Sequence, residues 1–135
     1  MGPVMKQLIV TGAKQAEFEE VELPGCGAMD VLVRARVTAI STGTELRVYR
    51  AIPVDDEGKY LHERVPFVLP AENGYSMVGD VIETGLEVDG ISTGDRVFLP
   101  AAHRQVAAMD ASRVTPLPES VPDDEAALLS ILEVA

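Results

Sequence analysis

The sequence has no tryptophan and few other aromatic residues, with three tyrosines and three phenylalanines among 135 residues. Hydrophobic residues nevertheless make up 47% of the chain. A core built from them must therefore be mainly aliphatic, packed from valine, leucine, isoleucine and alanine side chains. The length is enough for one domain and too short for two full ones.

Cysteine and basic residues are also scarce. The single cysteine, Cys26, excludes an internal disulfide and a four-cysteine structural zinc site. One cysteine fits a reducing compartment, and we expect a cytoplasmic protein. Eleven Lys and Arg residues against 22 Asp and Glu give a net charge of −11. Such a charge repels phosphate backbones, so nucleic acid is not an expected partner.

Long hydrophobic runs are absent. No stretch approaches the roughly 20 apolar residues that span a bilayer. The opening residues, MGPVMKQLIV, hold too short an apolar run for a signal peptide. We therefore expect neither a membrane partner nor secretion.

Short segments separated by proline and glycine predict a mainly β fold. Residues 6–23 form a predicted hairpin, and residues 31–40 a strand with Val31, Val33, Ala35, Val37 and Ala39 on one face and Arg34, Arg36 and Thr38 on the other. Further predicted elements are a short helix at 44–51, an exposed loop at 52–66, and strands at 76–85, 96–99 and 103–110. Gly79 inside one strand indicates a bulge or a close backbone approach. This pattern favours a partly open β-barrel.

The last segment, PDDEAALLSILEV, predicts a helix instead. Pro122 suits the first helical position, and the acids at 123–125 suit its first turn. Leu128, Leu129 and Leu132 form an apolar stripe, and no Gly, Asn or Pro ends the helix before Ala135. We expect the chain to be the N-terminal piece of a longer protein. The uncovered stripe also makes a homo-oligomer plausible.

The order of motifs then becomes informative. A hairpin is followed by ISTGTEL at 40–46, PFVLPAENGYSMVGDVIETG at 66–85, GDRVFLP at 94–100 and VTPLPESVPDDEAALL at 114–129. This series resembles the N-terminal, GroES-like catalytic domain of the medium-chain dehydrogenase/reductase superfamily, the zinc alcohol dehydrogenases and their relatives. The resemblance covers roughly residues 5–130, and the Ser-Thr-Gly-Thr-Glu loop is similar to the threonine/sorbitol- and bacteriochlorophyllide-dehydrogenase-like branches.

The positions of the family's zinc ligands carry other residues here. The resemblance places Thr42 where zinc members have the cysteine of Cys-Gly-Thr-Asp, and Tyr75 and Ser76 where they have the histidine and glutamate of Gly-His-Glu. Hydroxyls are poor zinc ligands, so no metal site is expected. An alternative alignment places Glu72 in the glutamate position, but it displaces Gly79 and the VIETG motif. A metal-binding protein is the least favoured interpretation.

The candidate residues in these two segments carry hydroxyl groups, which can still take part in catalysis. The resemblance implies that Thr44 hydrogen-bonds the substrate oxygen and relays its proton, since a hydroxyl both donates and accepts. Tyr75, Ser76 and Thr42 complete the candidate catalytic set as donors that stabilise developing negative charge. Glu45 matches an acidic position that supports the metal site in zinc members, and its role is open here. The structural alternative is that the Ser and Thr residues cap a turn or helix and that Tyr75 packs.

Two histidines lie outside this set. His62 falls in the charged loop and His103 follows FLPAA, and neither has metal-ligand spacing to another candidate ligand. We interpret both as ordinary surface or edge residues.

No Gly-x-Gly-x-x-Gly motif occurs, so residues that would bind the cofactor are not identified. The resemblance implies that NAD or NADP is held by a separate Rossmann domain, after the segment that ends this sequence. We therefore predict a barrel at 1–121 and the start of a connecting helix at 122–135. The barrel would supply the wall facing a small carbonyl or alcohol substrate in a zinc-independent oxidoreductase, inactive without the cofactor domain. The alternative function is a stand-alone GroES-like binding or assembly module.

Overall fold

The computed structural model describes residues 2–51 and 69–130. Along this part of the chain, eight strands, two short α-helices and one 3₁₀ helix follow one another: β1 (Val4–Gly12), β2 (Gln15–Glu22), β3 (Asp30–Thr38), α1 (Thr44–Arg50), β4 (Ala71–Glu72), β5 (Met77–Thr84), β6 (Arg96–Leu99), β7 (Val106–Asp110), the 3₁₀ helix (Ala111–Arg113), β8 (Thr115–Pro116) and α2 (Asp123–Ala126). The predicted hairpin, strands and first helix are confirmed, with shifts of a few residues at their ends. The predicted loop at 52–66, with His62, lies outside the described residues.

The strands form two antiparallel sheets. A three-stranded sheet has the order β2-β1-β4, and a five-stranded sheet has the order β7-β3-β5-β6-β8. An isolated bridge between Gln7 and Arg104 connects the two. The sheets do not close on each other, so the predicted partly open GroES-like barrel is confirmed.

Strand β3 departs from simple alternation. Val31 and Val33 belong to the core cluster that also contains Met77, Val81 and Leu99. Val37 and Ala39 instead pack against a second cluster, next to α2. The prediction that all five small residues share one face is therefore wrong. The register of β3 against β5 shifts between Ala35 and Val37, and this extra residue turns the second half of the strand towards a different core.

The N-terminal end of α2 is fastened to the five-stranded sheet by two arginines. The Arg96 guanidinium donates to Asp123 Oδ1 at 2.6 Å and to the Pro118 carbonyl at 2.8 Å, while Arg36 Nε lies 2.9 Å from Asp123 Oδ2. Pro122 occupies the N-cap position of α2. The predicted helix start is thus confirmed to within one residue.

The prediction of one continuous helix from Pro122 onwards is wrong, because α2 ends at Ala126 and the chain tightens into a turn, where the Leu128 N–H donates to the Glu125 carbonyl, three residues back, at 3.1 Å. The part predicted over 131–135 lies outside the described residues.

Leu129 packs on the second core cluster, whereas Leu128 is 46% exposed. The two described members of the predicted apolar stripe therefore face different surroundings. Among the described residues, no helix has the length and apolar character required to cross a bilayer.

Candidate active site

The loop that follows β3 leads directly into α1. Gly43 is the N-cap residue of this helix, so no side chain caps its first turn from that position. Thr42 is exposed, and Thr44, the first helical residue, is half-buried. Thr44 therefore lies where the loop becomes the helix, and part of the surface of this residue is accessible to a ligand.

Glu45, the second residue of α1, is only 2% exposed. Its Oε2 accepts a hydrogen bond from the Ser41 backbone N–H, four residues back, and its Oε1 contacts Nε2 of His103. Both carboxylate oxygens are thus occupied inside the protein, which offsets the cost of burying the group.

His103 is buried, 9% exposed, and hydrogen-bonded through both ring nitrogens. Its Nδ1 lies 2.7 Å from the Thr38 hydroxyl oxygen, and its Nε2 contacts Glu45. The interpretation of His103 as a surface or edge residue is therefore wrong. Ala101 and His103 are both buried, and the His103 backbone is held on both sides, by donating to the Asn73 carbonyl and accepting from the Leu8 N–H, each at 2.9 Å.

A second segment, residues 73–76, runs beside the loop. Asn73 Nδ2 donates to the Glu45 carbonyl at 3.2 Å, and the Ala39 N–H donates to the Ser76 carbonyl at 3.0 Å. The His103 N–H in turn donates to the Asn73 carbonyl at 2.9 Å. These bonds bring together the two segments that carry the four candidate catalytic residues, although the segments lie some 30 residues apart in sequence.

Tyr75 and Ser76 are placed differently within this second segment. Tyr75 is half-buried, and its carbonyl accepts a hydrogen bond from the Ser130 hydroxyl at 3.2 Å. Ser76 is buried, 4% exposed, and its hydroxyl donates to the Ala127 carbonyl. The Ser76 hydroxyl therefore binds the backbone that follows α2, whereas Tyr75 keeps part of its surface exposed.

A small cavity of about 220 Å³ lies between β1 and α1, next to the loop. Leu8, Val10, Leu46 and other apolar side chains form most of its wall, and Glu45 and His103 provide polar groups. A larger groove of about 650 Å³ on the other side is lined by Thr38 and also reaches His103. His103 thus contributes to the lining of both spaces.

Protein zinc sites are built from three or more convergent thiolate, imidazole or carboxylate ligands. Within residues 2–51 and 69–130, no group of three His, Cys, Asp or Glu side chains is placed to hold a metal ion. Glu45 and His103 form only a pair, and they are bonded to each other. The three positions that the family resemblance assigns to zinc ligands hold hydroxyl groups, one of which, on Ser76, is already donated to the backbone.

The Glu45–His103 pair is the feature that sequence reasoning missed. The two residues lie 58 positions apart, and no motif links them. The neighbours of His103 in sequence are two alanines, an arginine and a glutamine, which give no local signal of an inward-facing histidine.

Comparison with known proteins gives the same family. Residues 27–119 match the alcohol dehydrogenase GroES-like domain family. L-threonine 3-dehydrogenase from Mesorhizobium japonicum is 27% identical over 98% of this chain, which corresponds to 45% of that enzyme. The same enzyme from Pseudoalteromonas atlantica is 40% identical over 59% of this chain and 21% of its own length. The chain thus spans less than half the length of these relatives.

The fold also matches solved structures. A cinnamyl alcohol dehydrogenase from Sorghum bicolor superposes with a TM-score of 0.75 at 17% identity, covering 94% of this chain and 44% of that one. The family match, which extends over more than half of the sequence, decides the assignment. This chain belongs to the alcohol dehydrogenase GroES-like domain family, within the medium-chain dehydrogenase/reductases.

Proposed function

We propose that this chain is the substrate-facing domain of a zinc-independent, NAD(P)-dependent oxidoreductase that interconverts a small carbonyl compound and its alcohol. Family membership and the dehydrogenase relatives support this activity. The chain spans less than half of those relatives, so the proposal assigns the nicotinamide to a Rossmann domain outside the 135 residues. Residues 1–121 would be the barrel, and residues 122–135 would lead towards that domain.

One observation carries the proposal. The loop at 40–45 and the segment at 73–76 are hydrogen-bonded to each other, and they hold hydroxyl side chains where zinc members of the family hold metal ligands. Thr42, Thr44 and Tyr75 each keep some exposed surface. Ile40, which is 64% exposed, adds an apolar group beside them. A small ligand would therefore meet hydroxyl donors next to an apolar contact, as substrate pockets require.

The roles of these residues follow from their chemistry. The nicotinamide, when bound, supplies or accepts the hydride at the substrate carbon. In the reducing direction, negative charge then develops on the carbonyl oxygen. Thr44 donates a hydrogen bond to this oxygen and relays a proton to it, taking a replacement proton from water at its exposed side, and Tyr75 and Thr42 stabilise the charge as it forms. Ser76, whose hydroxyl is donated to Ala127, contributes mainly by fixing the position of Tyr75.

The set of donors supports a reaction without zinc. Zn²⁺ is bound in proteins by thiolate, imidazole and carboxylate groups, and neutral hydroxyls replace them at Thr42, Tyr75 and Ser76. Among the described residues, Glu45 has its two oxygens occupied by Ser41 and His103. These residues do not fit a catalytic zinc ion, and no step of the proposed reaction is routed through one.

The proposal is tested on the complete gene product. Oxidation of NADH and NADPH is followed with a panel of small aldehydes, ketones and activated alkenes, and reduction of NAD and NADP with the matching alcohols. We expect turnover with one of these classes, and we expect Thr44→Val to lower kcat at least about tenfold, a threshold set below the roughly 10²–10⁴-fold contribution typical of an acid–base group.

Thr42→Val serves as the matched control, because it removes an exposed hydroxyl from the same loop. A smaller effect of Thr42→Val is expected, since Thr42 assists and Thr44 transfers the proton. Unchanged turnover in Thr44→Val would remove Thr44 from the reaction. A complete gene product that transfers no hydride to any member of the panel would instead favour a binding or assembly module.

A further inference from the structure

We infer that His103 is a positioning residue for the proposed active site, which acts by holding the Glu45 carboxylate so that the loop bearing Thr44 keeps one conformation. The role of Thr44 rests on the proposed function. The hydrogen bonds around His103 are independent of the proposed function, because they are contacts between residues that the structure describes.

The first argument is that His103 is tied to both segments of the site. Its Nε2 contacts the Glu45 side chain, and its backbone N–H donates to the Asn73 carbonyl at 2.9 Å. Asn73 closes the ring by donating its side-chain amide to the Glu45 carbonyl at 3.2 Å. Residue 103 thus connects the helix that begins at Thr44, through its imidazole, with the segment that carries Tyr75, through its backbone N–H.

The second argument concerns the direction of the hydrogen bonds. An ionised carboxylate only accepts, so Nε2 of His103 must carry the proton that it donates to Glu45. In the neutral imidazole, Nδ1 is then an acceptor, and the Thr38 hydroxyl, 2.7 Å away, donates to it. The Glu45 carboxylate therefore selects the tautomer with the proton on Nε2, and the Thr38 hydroxyl, which can donate or accept, supplies the matching donor to Nδ1.

The third argument is that the segment before Tyr75 carries no side chain at the point where it meets the His103 ring. A Cβ on Gly74 would lie 2.7 Å from both Cδ2 and Nε2 of His103. Gly74 also has a φ of +103°, a backbone conformation that other residues rarely adopt. The segment before Tyr75 is thus shaped around the imidazole.

The Glu45 carboxylate transmits this constraint to the loop. Its second oxygen accepts the Ser41 N–H, and the Glu45 N–H donates to the Ser41 carbonyl at 3.2 Å. Rotation of the carboxylate away from His103 would break the bond to Ser41. Thr42, Gly43 and Thr44 lie between the two bonded residues, so their backbone would lose its anchor.

The test compares two substitutions in the 135-residue chain. His103→Gln places an amide N–H near the position of Nε2, and His103→Phe keeps a ring of similar size without a nitrogen. Hydrogen exchange of the Ser41 amide is measured by NMR, with the Val81 amide, which donates to the Asp95 carbonyl in another part of the structure, as the internal control.

We expect exchange at Ser41 to accelerate about tenfold or more in His103→Phe and by less than about threefold in His103→Gln, because only the amide restores the bond to the carboxylate. Val81 should be unaffected in both. The opposite order, with Phe preserving protection better than Gln, would show that His103 only fills space and would overturn the inference.

If His103→Phe does not fold, the position of the proton on the wild-type His103 imidazole is measured instead. A long-range ¹H–¹⁵N spectrum identifies the protonated ring nitrogen, and we expect it to be Nε2. A proton on Nδ1 alone would overturn the inference. Either result is independent of hydride transfer by the complete gene product, so a failure of this inference and a failure of the proposed function are distinguishable.

Discussion

Gly79 on β5 lies directly against the backbone of Arg34 on β3. A Cβ at position 79 would be 2.4 Å from the Arg34 carbonyl oxygen and 2.6 Å from Cγ1 of Val33. Gly79 pairs with Ala35 beside the register shift that turns β3 towards the second core cluster. The close approach of the two strands therefore depends on the missing side chain.

Gly79→Ala should accordingly destabilise the domain. The added methyl group meets backbone on one side and a buried valine on the other, so the strands must separate to admit it. We expect a loss of about 2–3 kcal/mol in the free energy of unfolding, measured by urea denaturation.

Gly25→Ala is the matched control, because a Cβ at position 25 meets nothing within 4 Å. Its expected effect is within about 0.5 kcal/mol. Equal stability of Gly79→Ala and Gly25→Ala would contradict the close packing of β3 against β5.

The attachment of α2 to the sheet should depend on pH. The hydrogen bond from Arg96 lowers the pKa of Asp123; partial desolvation opposes this effect, and the charges of Arg36 and Arg96 reinforce it. A carboxylate with a lowered folded-state pKa contributes stability above its unfolded pKa, about 3.9, and loses it as the pH falls through the folded value.

Asp123→Asn should therefore be less stable than the wild type near neutral pH, and the difference should vanish in acid. Urea midpoints measured between about pH 6 and pH 2 test this expectation. Asp124→Asn provides the control, because Asp124 is exposed and its carboxylate accepts from the adjacent Glu125 N–H. A constant difference between Asp123→Asn and the wild type across this pH range would refute the linkage.

Much of the fold could be predicted from the sequence, because short runs of alternating residues and turn-forming glycines depend on local chemistry. The hairpin of β1 and β2, the helix at Thr44 and the close approach at Gly79 were all indicated in this way. The orientation of Val37 could not be predicted, because it depends on a register shift against a distant strand. Alternation within β3 alone gives no signal of that shift.

The candidate site, like the fold, could be predicted only in part. The hydroxyl-bearing segments at 42–44 and 75–76 were identified by resemblance to a family, and the structure brings those segments together. The pairing of Glu45 with His103 depends on a contact between residues 58 positions apart. A histidine flanked by small residues and an arginine is indistinguishable in sequence from a surface residue, and its buried role emerges only from the fold.

Zinc content measured together with turnover tests the central claim most directly. The complete gene product would be purified without added metal, and both quantities would be determined on one sample before and after treatment with a chelator. Because hydroxyl groups of Thr42, Tyr75 and Ser76 stand where zinc members of the family have metal ligands, we predict hydride transfer at full rate with substoichiometric zinc and no loss on chelation. Stoichiometric zinc whose removal abolishes turnover would contradict the account.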